Sequence, residues 1–522
     1  MVSKAGGKYS KLRSPRWSPL RKKKGLLSKK EVLSFILCLP CYVSCLSILK
    51  LFIKNEMSRH MRKISLLTSP VMLALSLAMP VSAETLQEAL VSAYLNNPQL
   101  EAQRASVRAT DENINQAASG WGPTIAATGS YSRKTTEGSS VFSPSNKLTT
   151  DPRSVQVSID QPLFRGFQTV NSIREAENAV KAAQGGLADT EQDILLSAVT
   201  AFVDVRRDES VVELTRNNVK VLRRQLEASE DRYRVGEITR TDVAQSKARL
   251  SRSISERTQA EASLTASRAA YQRIIGAMPG SLSGGATLPP LPKSEQEAIE
   301  IAKQESPVLA SARYSEEAAR NNVNKQYGGL LPQVSLNASY GKAWENFNQS
   351  DQTETRQVTA QLTIPLYQAG AQSSRIRQAK QTEYQRRYER IAAERGVKAG
   401  VQIAWESLRE ATARIKSTEA QIHANEIALE GVKQEAEVGA RTTLDVLDAE
   451  QELLDSRVSN VRAVRDQIVA AYQLLRSVGR LSARNLQLPV AYYDANDDAH
   501  RNSYRAYGWG TGDVEAWKAS AN

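Results

Sequence analysis

Residues 85–131 align without a gap on residues 294–340, and this duplication limits what the chain can fold into more than any other feature. Gln87, Glu88, Ala89, Pro98, Leu100, Arg104, Asn113, Gly120, Pro123 and Tyr131 recur, offset by 209, as Gln296, Glu297, Ala298, Pro307, Leu309, Arg313, Asn322, Gly329, Pro332 and Tyr340. From 155 to 250 the copy continues at an offset of 203, so that Pro162, Leu163, Ile173, Arg174, Gly236 and Asp242 return as Pro365, Leu366, Ile376, Arg377, Gly439 and Asp445. A repeat this long implies two similar structural halves, and a function that draws on both.

The net charge of +13 points to an anionic partner until it is located along the chain. Of the 69 Lys+Arg and 56 Asp+Glu, 16 and 2 lie within residues 1–83; the rest holds 53 and 54, a net of −1. A nucleic-acid reading therefore has no support in the body of the chain. Met61-Arg62-Lys63, an apolar run from Ile64 to Pro80 and the small residues of Val81-Ser82-Ala83 form a secretory signal cut after Ala83. Upstream, Val32 to Ile53 is apolar except for Lys50 and is long enough to span a bilayer. It is read either as an extra anchor or, in preference, as part of a mis-annotated extension over 1–56, with true initiation at Met57 or Met61. Cys38, Cys41 and Cys45 all lie there, so the mature chain is cysteine-free, which fits an oxidising compartment.

Each half opens with a short helix and a second one beginning at Pro98 or Pro307, and the second stops at glycines, Gly120 and Gly328. The period then changes to two. Ile125, Ala127, Gly129 and Tyr131 alternate with Thr124, Ala126, Thr128 and Ser130, and Val334, Leu336, Ala338 and Tyr340 alternate with polar neighbours. Partner strands are predicted over 154–162 and 356–365, with polar loops over 132–153 and 341–355 between the members of each pair. Helices over 168–234 and 371–437 follow, each on the order of 100 Å long if unbroken, with Gly185-Gly186 as a soft point in the first. A heptad seam at Val205, Val212, Val219, Leu226 and Tyr233 recurs at Leu408, Ile415, Ile422, Leu429 and Ala436. The chain turns back at Gly236 and Gly439 into helices over 240–275 and 442–480. The domain reading is thus a signal at 57–83, repeats at 84–278 and 294–482 joined by a linker at 279–293, and a flexible tail at 483–522 that turns polar after Pro489.

Four amphipathic strands cannot close a barrel, and an open sheet with an apolar outer face aggregates, so closure has to come from copies of the chain. Two copies give eight strands and a nearly filled interior; three give twelve and room for a lumen. With its duplicated strand pair, the segments QPLFRGF and IPLYQAG, and the tip motifs VGEITRTDV and VGARTTLDVLDA, the chain resembles the TolC family of outer-membrane efflux proteins over nearly all of 84–482. The resemblance implies a mixed α and β membrane protein: a homotrimeric, 12-stranded transmembrane β-barrel continuous with a periplasmic α-helical coiled-coil barrel. It implies a passive exit duct for tripartite efflux or type I secretion in the cell outer membrane. Partners would be a periplasmic adaptor, an inner-membrane transporter of RND or ABC type and outer-membrane lipid, with no cofactor.

Asp445 and Asp448 stand one helical turn apart, so both side chains share a face. In the family the matching aspartates line the narrowest point of the lumen and select cations. Asp445 also lies three residues after Thr442, the spacing of a capping box, and Asp242 repeats this after Thr239. The resemblance makes Arg441 a latch that ties the closed tip to its neighbours, with Asp242 as its partner; a solvated arginine is the alternative. A family tyrosine is replaced by Ala436, which puts part of the latch in doubt. Gly236 and Gly439 supply the turn and, by resemblance, receive the adaptor. Trp121, Trp344 and Phe347 lie near strand ends, suited to an aromatic girdle or to ordinary packing. After the signal only His423 and His500 remain, without metal-ligand neighbours, and no phosphate loop or nucleophile elbow occurs, so no enzyme and no metal site are expected. A periplasmic adaptor and a non-transport coiled-coil scaffold are the rival readings; the first lacks the strand pairs and the second leaves the signal unexplained.

Overall fold

Capping boxes, Schellman turns and strand register divide this chain into elements at sharp, local boundaries. The computed structural model describes residues 84–140, 143–282, 288–346 and 350–495. The N-terminal extension, the signal, all three cysteines, Phe347 and His500 lie outside them. In chain order come α1 (Leu86–Asn96), α2 (Pro98–Ala118), β1 (Thr124–Tyr131), β2 (Lys134–Ser140), β3 (Ser143–Thr150), β4 (Arg153–Arg165), α3 (Gln168–Arg234) and α4 (Arg240–Ile275). Then follow α5 (Glu295–Glu305), α6 (Pro307–Gly328), β5 (Gln333–Trp344), β6 (Gln352–Thr363), α7 (Ala371–Glu437) and α8 (Thr443–Val478).

Both long helices, α3 and α7, have 67 residues, about 100 Å each. The sequence periodicity predicts these same bounds. The soft point at Gly185-Gly186 does not materialise, and α3 runs through it. A Cβ on Gly185 would sit 3.0 Å from the Pro307 carbonyl oxygen and the Ser311 backbone, while Ser311 Oγ donates to the Ala182 carbonyl at 2.9 Å. The glycine thus lets the start of α6 lie against α3, and that packing offsets its low helix propensity.

The first polar loop is also corrected. Residues 134–140 and 143–150 form the β2–β3 hairpin, an outward extension of the β1/β4 pair with Thr135 opposite Thr149 and Glu137 opposite Lys147. Its alternation carries no apolar face, so period-two hydrophobicity does not reveal it. Six strands therefore occur among the described residues where four were expected. The main sheet keeps four, antiparallel in the order β1-β4-β5-β6. Pro162 lies inside β4, at a register shift beyond the end of β1, where a missing N–H costs no ladder bond on that side.

Register places Ile125, Ile159, Ala338 and Val358 in one row, and Ala127, Val157, Tyr340 and Arg356 in the next. Leu336 with Ala360 and Val334 with Leu362 extend this apolar face. Its members on the outer strands and β4 are solvent-exposed in the single chain, Val358 at 73 % and Ile125 at 67 %, while Val334, Leu336 and Ala338 of β5 are half-buried. The opposite face carries Thr124, Thr128, Ser130, Ser154, Gln156, Asp160, Asn337, Thr359 and Gln361.

The main core lies where the short helices wrap the long ones. Leu90, Tyr94, Leu100, Leu195, Phe202, Tyr271 and Leu475 bury together, and Ile299, Val401, Leu474 and Val478 form a smaller cluster. The expected flexible tail is corrected over 483–495: Ala483 and Leu488 are buried in the main core, and the Tyr493 backbone N–H donates to Tyr94 Oη at 3.0 Å. Arg104 lies buried between the Tyr94 and Tyr493 rings, 4.6 and 5.2 Å from their centroids. No described helix is long and apolar enough to cross a membrane.

Candidate functional site

The two hairpin tips stand far from this core. From Val205 in the core to the end of α3 is 29 residues, about 44 Å of helix. Each tip is built from sequence-local bonds. In the first, the Gly236 N–H donates to the Tyr233 carbonyl and the Glu237 N–H to the Arg232 carbonyl, both at 2.9 Å. In the second, Gly439 donates to Ala436 and Ala440 to Glu435, at 3.2 and 2.8 Å. This pair of crossed bonds is the Schellman stop, and it requires a left-handed residue at the glycine. Gly236 has φ 80° and Gly439 φ 77°, and a Cβ on either would meet nothing within 4 Å. The glycines are there for their backbone conformation rather than for space. Val235 and Val438 beside them are 79 % and 82 % exposed.

Three residues later the chain restarts. Thr239 and Thr442 are N-caps in full capping boxes: their hydroxyls accept from the backbone N–H of Asp242 and Asp445, whose carboxylates accept from the threonine N–H groups at 2.9 Å. The carboxylates accept from the threonine hydroxyls as well, at 2.7 and 2.8 Å. Bonds to the charged form hold both carboxyls below their usual range, through Thr239 for Asp242 and through Thr442, with a weaker contribution from Arg441, for Asp445. Both aspartates stay ionised at neutral pH, at a helix N-terminus that favours the charge.

The expected Arg441–Asp242 contact does not form within one chain. Arg441 Nε donates to Glu435 Oε2 at 2.7 Å, across its own turn, while Asp242 is committed to its cap. Asp448 is exposed and one turn beyond Asp445; it is paired with Arg249 of α4, a residue outside the expected site. The signal was present in the repeat: the second copy has Glu452 where the first has Arg249, and the first has Gln245 where the second has Asp448. His423 is exposed on α7, as a solvated helix position. Trp121 is exposed, and Trp344 ends β5 opposite Gln352. Among the described residues no group of three or more His, Cys, Asp and Glu is placed to hold a metal.

The hairpins α3/α4 and α7/α8 are tied together high on their length. Arg465 Nε of α8 reaches Asp204 Oδ1 of α3 at 2.7 Å, Arg476 pairs with Asp193, and Gln192 Nε2 donates to the Gly479 carbonyl at 3.0 Å. Below Arg465 they part around a polar cleft of about 490 Å³ that Arg207, Asp208, Glu256, Asp455 and Arg462 help to line. What this arrangement presents is two long hairpins tied together high on their length and again by Arg249–Asp448 closer to the charged tips.

Comparison with known proteins agrees with this geometry. The sequence model of the family described as "Outer membrane efflux protein" matches residues 89–277 and 298–480. The chain is 36 % identical over 416 residues to the outer membrane efflux protein BepC of Brucella suis, covering 79 % of this chain and 89 % of that protein. It is 27 % identical to the outer membrane protein TolC of Vibrio cholerae, covering 79 % of this chain and 94 % of that one. Among solved structures, CusC superposes with a TM-score of 0.68 at 16 % identity, covering 80 % of this chain and 98 % of that one.

Proposed function

The chain belongs to the outer membrane efflux protein family, which makes it an outer-membrane protein reaching into the periplasm and not an enzyme, and on that premise we propose that three copies form a passive exit duct. The observation that carries this reading is the four-stranded sheet. It shows an apolar face to the outside, and among the described residues its edge strands β1 and β6 pair on one side only. Joining β6 of one copy to β1 of the next closes twelve strands, satisfies the edge N–H and C=O groups and gives the apolar face to lipid. The Thr, Ser, Gln and Asn face then lines a lumen continuous with the helical hairpins. We read 84–278 and 294–482 as two repeats joined by 279–293, exported by the signal at 57–83.

In this duct Asp445 and Asp448 form the acidic constriction at the periplasmic mouth. Arg441 and Asp242 latch neighbouring copies in the closed state, exchanging Glu435 and Thr239 for each other. Gly236 and Gly439, beside exposed Val235 and Val438, receive a periplasmic adaptor that couples the duct to an inner-membrane transporter of RND or ABC type. Drugs, small molecules or polypeptides pass; the sequence holds no element that supplies energy.

Single-channel recording of the purified protein in planar bilayers tests this. The expected result is small, cation-selective currents blocked by a trivalent cation from the periplasmic side, with block weakened in the Asp445→Ala/Asp448→Ala double variant. A membrane-extracted, folded protein that carries no current refutes the duct, as does release from outer membranes by salt alone.

A further inference from the structure

We propose that Arg249 sets the charge of the constriction: by pairing with Asp448 it offsets half of the acidic ring and fixes how strongly the duct selects and binds cations. The inference rests on the duct reading above and names a selectivity-determining residue that lies outside the tip motifs and that the repeat does not duplicate. Its basis is the contact between the hairpins. Arg249 Nη2 donates to Asp448 Oδ1, and among the described residues this is the one ion pair joining α4 to α8. It lies 17 residues, about 26 Å, closer to the tips than the Arg465–Asp204 link. The guanidinium is the less exposed partner, at 27 % against 54 % for the carboxylate. Asp448 therefore keeps an open side toward solvent while a fixed cation stands behind it.

The duplication explains why this pair exists once rather than twice. At the repeat-related positions, Gln245 replaces the aspartate and Glu452 replaces the arginine, so the second hairpin presents the anion and the first supplies the cation. Asp445 is in no such ion pair: its carboxylate is held chiefly by Thr442, a neutral group, with Arg441, which is paired with Glu435, contributing more weakly. Three copies then place six carboxylates and three guanidiniums at the mouth. Counting only Asp445, Asp448 and Arg249 of each copy, these groups sum to −3 with the arginine and −6 without it, and a multivalent cation feels the difference directly.

The test is planar-bilayer recording of the assembled protein, with hexaamminecobalt(III) as the blocking probe and a potassium chloride gradient for the reversal potential. Arg249→Gln is expected to tighten block on the order of tenfold at 0.1 M salt and to shift the reversal potential toward that of potassium. Arg249→Lys is expected to stay within about twofold of the parent, and Arg249→Gln placed on Asp448→Asn to lose most of its effect. Arg249→Ala gives the same reading should the glutamine variant assemble poorly. If Arg249→Gln and Arg249→Ala raise conductance while block and selectivity stay fixed, Arg249 is a brace and the inference is overturned. If Asp448→Asn weakens block and the Arg249 variants do nothing, the inference fails while the gate stands. If the parent carries current but neither Asp445→Asn nor Asp448→Asn changes block, the gate reading fails, and this inference with it.

Discussion

Arginine at position 358 tests which face of the sheet meets lipid. Val358 sits mid-way along β6, opposite Ala338 and level with Ile159 and Ile125, in the centre of the apolar rows. It is 73 % exposed in the single chain, so no protein neighbour would be displaced by a longer side chain. In a bilayer the cost of arginine near the midplane of a barrel is about 2–4 kcal/mol per chain, or roughly 30- to 1000-fold in the assembly equilibrium for each copy. The next residue, Thr359, lies opposite Asn337, which pairs with Asp160, on the polar face. There the same substitution keeps its charge in water, on the face that also carries Asp160 two strands away, and should change stability by less than about 0.5 kcal/mol. The assay is the yield of heat-modifiable, detergent-extracted oligomer from outer membranes for Val358→Arg against Thr359→Arg. Loss in the first with retention in the second is expected. Equal loss in both, or loss only in Thr359→Arg, refutes the assignment of the faces and the closed barrel built on it.

Adjacent glycines in α3 should respond with opposite signs. Gly185→Ala crowds Pro307 and Ser311 and should cost about 1–3 kcal/mol, whereas Gly186→Ala, whose nearest neighbour is the mobile end of Gln103 at 3.7 Å, should stabilise by up to about 1 kcal/mol; thermal melting of the two variants checks this. Gly439→Ala forces a left-handed alanine at a cost of about 1–2 kcal/mol, read as faster amide exchange at Ala440, while Gly439→Asn should recover part of the loss; equal damage from both would indicate a steric rather than a conformational role. The tip caps have a defined pH response. Asp242 and Asp445 are depressed below the ordinary 3.8, so their contribution is fully present above that value and is lost as pH falls through their lower folded values. Exchange protection of the tip amides should be flat from pH 7 to pH 5 and drop only in strong acid; a drop near pH 6 would contradict the cap geometry.

Much of this architecture is legible in residue order, because the terms that set it are local. The 67-residue helices end where Gly236 and Gly439 impose a left-handed turn and restart where Thr239 and Thr442 cap them, and each of these bonds spans a few residues. The main-sheet strands announce themselves through an apolar row on every second position, and the duplication carries both signals twice. The β2–β3 hairpin does not, since its rows of Thr, Lys and Glu contrast no face with another; its pairing is fixed only by continuing the register of β1 and β4. Packing between distant segments decides the rest. Gly185 reads as a weak point until α6 is laid against it, and residues 483–495 read as tail until Tyr94 and Arg104 receive Tyr493. The site divides the same way. Asp445, Asp448, Gly236 and Gly439 stand in local motifs, but the partner of Asp448 comes from 199 positions away. Sequence determined the two hairpins and the ends of their helices through bonds between near neighbours, the turn-spanning Arg441–Glu435 pair among them; only the tertiary structure, by fixing the azimuth and height of one hairpin against the other, decided that Arg249 meets Asp448.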